Sequence, residues 1–326
     1  MTRHADGSSS VEVDCLSRSY ARVPAIEKIS FNVFSGEIFG IVGPDGAGKT
    51  TLLRTLCGLL RADSGQVRML GIDALNEQPR LKDRLGYMPQ RFSLYEDLTL
   101  RENLDFFGTV FGLAGADKCA KIDYFLDLTM LGPHQKKLAG QLSGGMKQKL
   151  ALAVNLIHRP EILLLDEPST GVDPVARKEF WDVLREMRRS GITILIATPY
   201  MEEAANCDRL LLIAQGQTVA SGSNEEIIAL FPFQIVFVSC RDPFAAKNLI
   251  LRSLSPLIND IGIYGNNLRI ATQGHTQLID GLRQLLPEEK APQLVAATIE
   301  DAFVYLTKVR GQSYVCRTGD QSHKPD

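Results

Sequence analysis

No run of about 18 apolar residues occurs in the chain, so no segment is long and apolar enough to cross a bilayer as a helix. The first residues, MTRHADGSSS, lack the apolar core of a secretory signal. Excess positive charge is also missing. Lys+Arg 36 against Asp+Glu 38 leaves a formal net charge of -2, which argues against nucleic-acid binding through a broad basic face. The six cysteines, Cys15, Cys57, Cys119, Cys207, Cys240 and Cys316, form no CxxC pair and no cluster with histidine. A zinc site or a disulfide framework is therefore not expected, and reduced thiols in a cytosolic protein are. No internal repeat and no heptad array is found.

What is there suits a soluble globular protein. Hydrophobic residues make up 44% and charged residues 23% of 326 residues, enough for two domains. Residues 11–42 read as strands: Val11–Val13, Ile29–Val33 and Glu37–Val42, with a turn at Ser35-Gly36. Helical character follows at Thr50–Leu60. Residues 97–158 read as mostly helical, with Leu104, Phe107, Val110 and Phe111 on one face. From there strands and helices alternate: Ile162–Leu165, helix Ala176–Arg189, Ile192–Ala197, a short helix Met201–Cys207, then strands Leu210–Ile213 and Thr218–Ala220. Buried apolar strands alternating with helices predict an α/β domain with a largely parallel sheet.

A second domain is expected after Phe231-Pro232-Phe233. Strand Gln234–Cys240, helix Phe244–Leu254, strands Ile261–Tyr264 and Leu268–Thr272 about an Asn266-Asn267 turn, helix Thr276–Leu286 and strand Leu294–Ala297 follow in order. A short helix opens with a capping-box variant, Thr298 to Asp301. The order β-α-β-β-α-β is that of a ferredoxin-like module. Expected boundaries are 1–230, with a helical part at about 92–158, and 231–309. Residues 310–326 are polar, without periodicity, and are expected to be unstructured.

Three motifs carry chemistry. Gly43-Pro44-Asp45-Gly46-Ala47-Gly48-Lys49-Thr50 fits G-x-x-x-x-G-K-[ST] between a strand and a helix. Its glycines allow backbone amides to surround phosphates, Lys49 reaches the β- and γ-phosphates, and Thr50 offers a hydroxyl to Mg²⁺; Thr51 continues the helix start. Asp166-Glu167 closes the apolar run Ile162–Leu165, where Asp166 would serve Mg²⁺ and Glu167 would polarise an attacking water. Alone, such a pair is usually a strand end meeting solvent. Ser143-Gly144-Gly145, inside Leu142–Met146, forms a second helix-start anion site, although in isolation an ordinary N-cap is the simpler reading.

In this order the motifs resemble those of the ATP-binding-cassette (ABC) ATPases over residues 11–222. Gly43–Thr50 is similar to the family's Walker A, Leu142–Met146 to its signature and Ile162–Glu167 to its Walker B with catalytic glutamate. Gln90 in Tyr87-Met-Pro-Gln90 is similar to the Q-loop glutamine that touches Mg²⁺ and senses the transmembrane partner. Ser169–Asp173 is similar to the D-loop, and Tyr20 to the aromatic that stacks on adenine. The resemblance implies a P-loop (RecA-like) α/β core with antiparallel β and helical subdomains, ATP and Mg²⁺ as ligands, and permease subunits as partners. It also implies a head-to-tail pair in which Ser143, Gly144 and Gly145 complete a partner's site. The protein would then be peripheral on the cytoplasmic face of the inner membrane, meeting membrane only through partners. Phe92–Thr99, the LSGGM signature and the module ending Thr298–Phe303 resemble the ABC-2 exporters, and Gly43-Pro-Asp-Gly resembles the N-terminal half of a tandem ATPase of that branch. Hydrophobic or drug-like compounds moved outward are the implied substrate class.

Two positions depart from the family. Thr198-Pro199-Tyr200-Met201-Glu202-Glu203-Ala204 holds proline where the family has its switch histidine. Proline offers no side-chain donor and no N–H. Losing one preorganised donor to developing charge costs about 10²–10³ in rate. A site that binds ATP but turns it over slowly is the expectation, and a heterodimer with a more complete ATPase is favoured over a homodimer; a water or another residue supplying the contact is the alternative. Asp45 stands where asparagine is commoner and is expected to point away from phosphate. Rival functions are a soluble ABC protein acting on ribosomes or DNA, and a nucleotide-sensing subunit without useful hydrolysis.

Overall fold

The computed structural model describes residues 8–286 and 291–318. The chain divides between Asn224 and Glu225 into two compact units, ahead of the 230/231 boundary expected.

The first unit opens with two long antiparallel strands, β1 (Ser9–Tyr20) and β2 (Val23–Phe34). Ser35-Gly36 turns the chain as expected, and β3 (Ile38–Val42) is buried at every residue. Helix α1 (Lys49–Leu56) is shorter than the Thr50–Leu60 expected. It stops because Gly58 takes φ +70°, a left-handed conformation that ends the helical run. Next come β4 (Ser64–Met69), β5 (Ile72–Asp73) and β6 (Leu85–Met88), which periodicity did not reveal. The helical region is α2 (Leu100–Val110), α3 (Gly115–Leu128) and α4 (Gly144–Leu156). Helix α2 has a capping box, Thr99 with Glu102. The chain continues through β7 (Ile162–Asp166), α5 (Pro174–Arg189), β8 (Thr193–Thr198), β9 (Arg209–Ala214) and β10 (Gln217–Gly222). The short helix expected at Met201–Cys207 is a 3₁₀ helix, Met201–Asn206.

Two sheets result. One is antiparallel, β2-β1-β4-β5; the other runs β10-β9-β3-β8-β7-β6, parallel except for β10. Register aligns the carboxyl ends of four strands: Val42 pairs with Thr198, Ala197 with Asp166, and Leu165 with Met88. Ligands of open α/β sheets bind at such an edge. The loops that follow β3, β8, β7 and β6 all leave from it.

The second unit carries α6 (Asn224–Ala229) at its start, then β11 (Gln234–Ser239), α7 (Pro243–Ser253), β12 (Asp260–Tyr264), β13 (Asn267–Thr272), α8 (His275–Leu285), β14 (Gln293–Val295) and α9 (Ile299–Thr318). Its sheet is antiparallel in the order β12-β13-β11-β14, the ferredoxin-like arrangement. Val236, Val238, Leu268 and Ile270 pack with Ile250, Leu278 and Leu282 from α7 and α8. The Thr298–Asp301 box forms: Thr298 N–H donates to Asp301 Oδ2 (2.8 Å) and Asp301 N–H to Thr298 Oγ1 (3.3 Å). Helix α9 then runs on to Thr318, so residues 310–318 are helical where unstructured chain was expected; once nucleated, a helix extends at one bond per residue. Residues 319–326 lie outside the described residues.

Candidate functional site

Between β3 and α1 the chain must reverse while hugging the sheet. Gly43 permits this: a Cβ there would lie 2.1 Å from the Ile213 carbonyl oxygen. Its N–H donates to Thr198 O (3.4 Å). Gly48 takes φ +103° immediately before α1, and its Cβ would lie 2.4 Å from Ala25 O. No side chain caps α1, so its first-turn amides meet no side-chain acceptor, a ready anion site. Ala47 N–H closes onto Pro44 O, and Gly216 N–H holds Ala47 O (3.1 Å). Asp45 and Gly46 are exposed at the tip. Thr50 and Thr51 lie in the first turn of the helix.

The side chains converge across the sheet edge. Lys49 Nζ donates to Gly43 O (2.9 Å) and Pro44 O (3.1 Å), and lies 3.1 Å from Glu167 Oε1. Gln90, in the loop after β6, donates through Nε2 to Glu167 Oε2 (2.9 Å). Thr50 Oγ1 donates to Asp166 Oδ1 (2.9 Å). Asp166 is wholly buried at the end of β7. Burial raises its pKa above the ordinary carboxylate value, against the lowering effect of the Thr50 hydrogen bond. Glu167 adopts φ +50°, left-handed backbone that costs a non-glycine residue about 1–3 kcal/mol, and its N–H donates to Ala197 O (2.9 Å). That turn swings its carboxylate back between Lys49 and Gln90.

Two members escaped the sequence reading. Tyr87 OH donates to Asp166 Oδ2 (3.4 Å), and burial pushes its pKa up to about 12, so it remains a donor. Arg54 of α1 has its pKa raised by a hydrogen bond with Tyr87 and by the charges of Asp166 and Tyr20. Tyr87 stands three residues before Gln90 and Arg54 four after Thr50, spacings that could have marked both.

Tyr20 meets this network through its electrostatic effect on Arg54, while the 143–145 segment makes no hydrogen bond to it among the described residues. Tyr20 ends β1, 45% exposed, with the Arg18 guanidinium 5.3 Å from its ring centroid. Ser143 caps α4, accepting Met146 N–H (3.4 Å), and with Gly144 it faces solvent. Gly145 is buried where a Cβ would lie 2.5 Å from that of Ala176 in α5. Pro199 directly follows Thr198, whose carbonyl holds Gly43, so residue 199 stands at the rim of the 43–50 loop.

The family model described as ABC transporter matches residues 26–170. Among curated proteins, the probable multidrug ABC transporter ATP-binding protein YbhF of Escherichia coli K12 is 38% identical over 296 residues, covering 89% of this chain and 50% of YbhF; the chain spans half the length of that relative. The Nod factor export ATP-binding protein I of Ralstonia nicotianae is 35% identical over 303 residues, 91% of this chain and 93% of that protein. The daunorubicin resistance ATP-binding protein DrrA3 of Streptomyces coeruleorubidus is 38% identical, covering 68% and 70%. A solved ATP-binding subunit of an ABC transporter is 27% identical with a TM-score of 0.63, covering 68% of this chain and 93% of that one. Clostridium perfringens cbiO1, part of the ABC transporter complex cbiONQ, gives 25% identity and the same TM-score. With the Ralstonia nicotianae protein 35% identical and covered over 93% of its length, the chain belongs to the ATP-binding proteins of the ABC transporter family.

Proposed function

We propose that this chain is the ATP-hydrolysing subunit of an ABC-2 type exporter and the weaker half of an asymmetric ATPase pair. The observation that carries the first part is the convergence of Lys49, Thr50, Gln90, Asp166 and Glu167 on one sheet edge beside an uncapped helix start. Water attacks the γ-phosphorus, the bond to the β,γ-bridging oxygen breaks, and ADP and phosphate leave. Glu167 accepts the proton of that water, and Gln90 holds Glu167 in line. Lys49 and the first-turn amides of α1 receive the charge that builds on the phosphates. Tyr20 offers an exposed aromatic face for adenine.

The donor set fits Mg²⁺. A hydroxyl, one carboxylate and a side-chain amide are hard oxygen donors, the few protein ligands this ion takes alongside substrate phosphates and water. A bound cation would also offset the burial that disfavours the Asp166 charge. Thr50, Asp166 and Gln90 would hold it, and its chemistry is to neutralise charge on the β- and γ-phosphates.

Asymmetry is supported by Pro199. It stands beside the 43–50 loop and has neither a side-chain donor nor an N–H to offer. The exposed Ser143 and Gly144 would complete the site of a second, more complete ATPase. Export is supported by relatives named for multidrug, Nod factor and daunorubicin systems. Permease subunits then provide the only contact with membrane, at the cytoplasmic face, and the ferredoxin-like unit regulates or stabilises the pair. Pro199 also favours a second reading, a nucleotide-sensing subunit with no useful turnover.

ATP binding and steady-state hydrolysis of the wild-type chain, Pro199→His and Lys49→Ala test these readings. The expected result is binding with slow turnover, raised about 10²-fold by Pro199→His and abolished by Lys49→Ala. Brisk wild-type turnover would remove the asymmetry. Absent turnover in wild type and Pro199→His alike would favour the sensor.

A further inference from the structure

Buried polar groups are ordinarily hydrogen-bonded, and each exception calls for a reason. One cluster of exceptions lies beside Pro199. Glu203 is 3% exposed, yet both its carboxylate oxygens lack a hydrogen-bond partner. Arg177 Nε, also buried and unpartnered, stands 3.8 Å from Glu203 Oε1, close enough for attraction and too far for a hydrogen bond. The guanidinium lies over the Tyr200 ring instead, 4.8 Å from its centroid. Arg177 therefore has two competing partners, one stacked and one ionic. A pair with a purely structural role would be closed, as Arg269 and Asp301 are at 2.6 Å.

The neighbours give this poise a direction. Tyr200 N–H donates to Thr198 Oγ1 and Glu203 N–H to Tyr200 O, so residues 198–203 are linked in one hydrogen-bonded turn. Thr198 O in turn holds Gly43 of the phosphate loop. On the other side, Ala176, next to Arg177, packs on Gly145. The first turn of α5 thus touches both the 143–146 segment and the turn that carries Pro199.

We propose that Arg177 and Glu203 are positioning residues of the ATPase cycle, closing to a hydrogen-bonded ion pair and, through Tyr200, setting how Thr198 and Pro199 sit against the phosphate loop. The inference rests on the 43–50 loop and Glu167 forming a hydrolytic site. It assigns to Arg177 and Glu203 no contact with substrate.

The full chain contains a single tryptophan, Trp181, buried one helical turn beyond Arg177, so its emission reports on this part of α5. Wild type, Glu203→Gln, Arg177→Ala, Arg177→Lys, the Arg177→Ala/Glu203→Gln double variant and Lys49→Ala are compared for kcat, KM, melting temperature and the Trp181 response to Mg-ATP. Closure predicts that Glu203→Gln and Arg177→Ala each lower kcat about tenfold with KM within about twofold, since misplacement of about 1 Å is enough for losses of that order. The double variant loses no more than either single one, and Arg177→Lys recovers most of the rate. Glu203→Gln melts no lower than wild type, and the Trp181 response disappears in Glu203→Gln and Arg177→Ala. Unchanged kcat, or a Trp181 response that survives both substitutions, overturns the proposal. A lower melting temperature at constant kcat per folded molecule would show an ordinary structural pair and overturn it too. If ATP binding and turnover are the same in Lys49→Ala as in wild type, the hydrolytic site itself is misassigned and the proposal falls with it.

Discussion

The segments at residues 43–50 and 143–146 are both glycine-rich helix starts, yet they are built to opposite ends. The first is tied into the sheet on every side: Gly43 to β8, Ala47 to the β9–β10 turn, Lys49 and Thr50 to the acidic end of β7. Its helix carries no side-chain cap. Among the described residues the second is hydrogen-bonded within its own turn, its helix is capped by Ser143, and Ser143 and Gly144 face solvent. A site whose catalytic groups are already gathered needs only its ligand. A segment presented outward, on a rigid helix, is suited to a surface that is not part of this chain. On the proposed reading, one chain thus holds one nearly complete site and a fragment of another.

The comparison is broken most severely at Glu167. Glu167→Gln keeps the size and hydrogen-bonding shape of the side chain beside Lys49 and Gln90 but removes the proton acceptor. Turnover should fall about 10²–10⁴-fold while ATP binding persists, checked by single-turnover hydrolysis and equilibrium binding. Ser143→Arg should act in the contrary way. It places bulk and charge on an exposed turn and removes the Ser143 cap of α4, so stability falls by about 0.5–2 kcal/mol while ATP binding by the isolated chain stays at the wild-type value. Turnover of the assembled ATPase pair should fall at least about tenfold, because the arginine enters the partner's phosphate site. Equal losses in isolated chain and assembled pair would mean that the 143–146 segment serves its own chain.

A smaller effect separates stability from function at the end of β7. Asp166 has a raised pKa because burial disfavours its charge. Its folded form therefore binds a proton more readily than the unfolded chain does, and ionisation costs stability as pH rises past the ordinary value of 3.8. Asp166→Asn should raise the melting temperature of the nucleotide-free protein at neutral pH. It should also abolish the added stabilisation from Mg-ATP. Differential scanning calorimetry with and without nucleotide checks both signs.

Much of the site was legible because its chemistry constrains residue type at fixed spacing. Gly43 and Gly48 occupy places where any Cβ would strike backbone, and Asp166 follows a wholly buried apolar run. The ferredoxin-like order was legible from the alternation of short strands and helices. Strands β4 to β6 were not: only Val67 and Met69 are buried in β4, so no regular pattern marks it. The left-handed backbone of Glu167 and the partners of Tyr87 and Arg177 depend on residues far away in sequence. Pro199 was legible only as a departure from a resemblance; its place beside Gly43 required the register of β3 on β8.

The weakest predicted effect concerns how the outward segment is seated. Helix α4 carries Ser143 at its start, and just beyond its far end His158 lies against the sheet: its Nε2 is 3.0 Å from Leu85 O in β6, and its ring stacks on Phe111 at 3.8 Å. The contact with a carbonyl assigns the proton to Nε2, leaving the buried Nδ1 bare and without a partner. Burial lowers the pKa of this ring below 6.5. The unfolded chain therefore takes up a proton first as pH falls, and stability is lost downward from about pH 6.5 until the folded ring also titrates. His158→Gln keeps a donor for Leu85 without the charge, so its melting temperature should fall less between pH 7 and pH 5 than that of wild type. If the two pH profiles are parallel, the joint is insensitive to protonation. Wild-type loss of the assembled pair's turnover over the same pH range, absent in His158→Gln, would show instead that seating of the 143–146 segment depends on this joint.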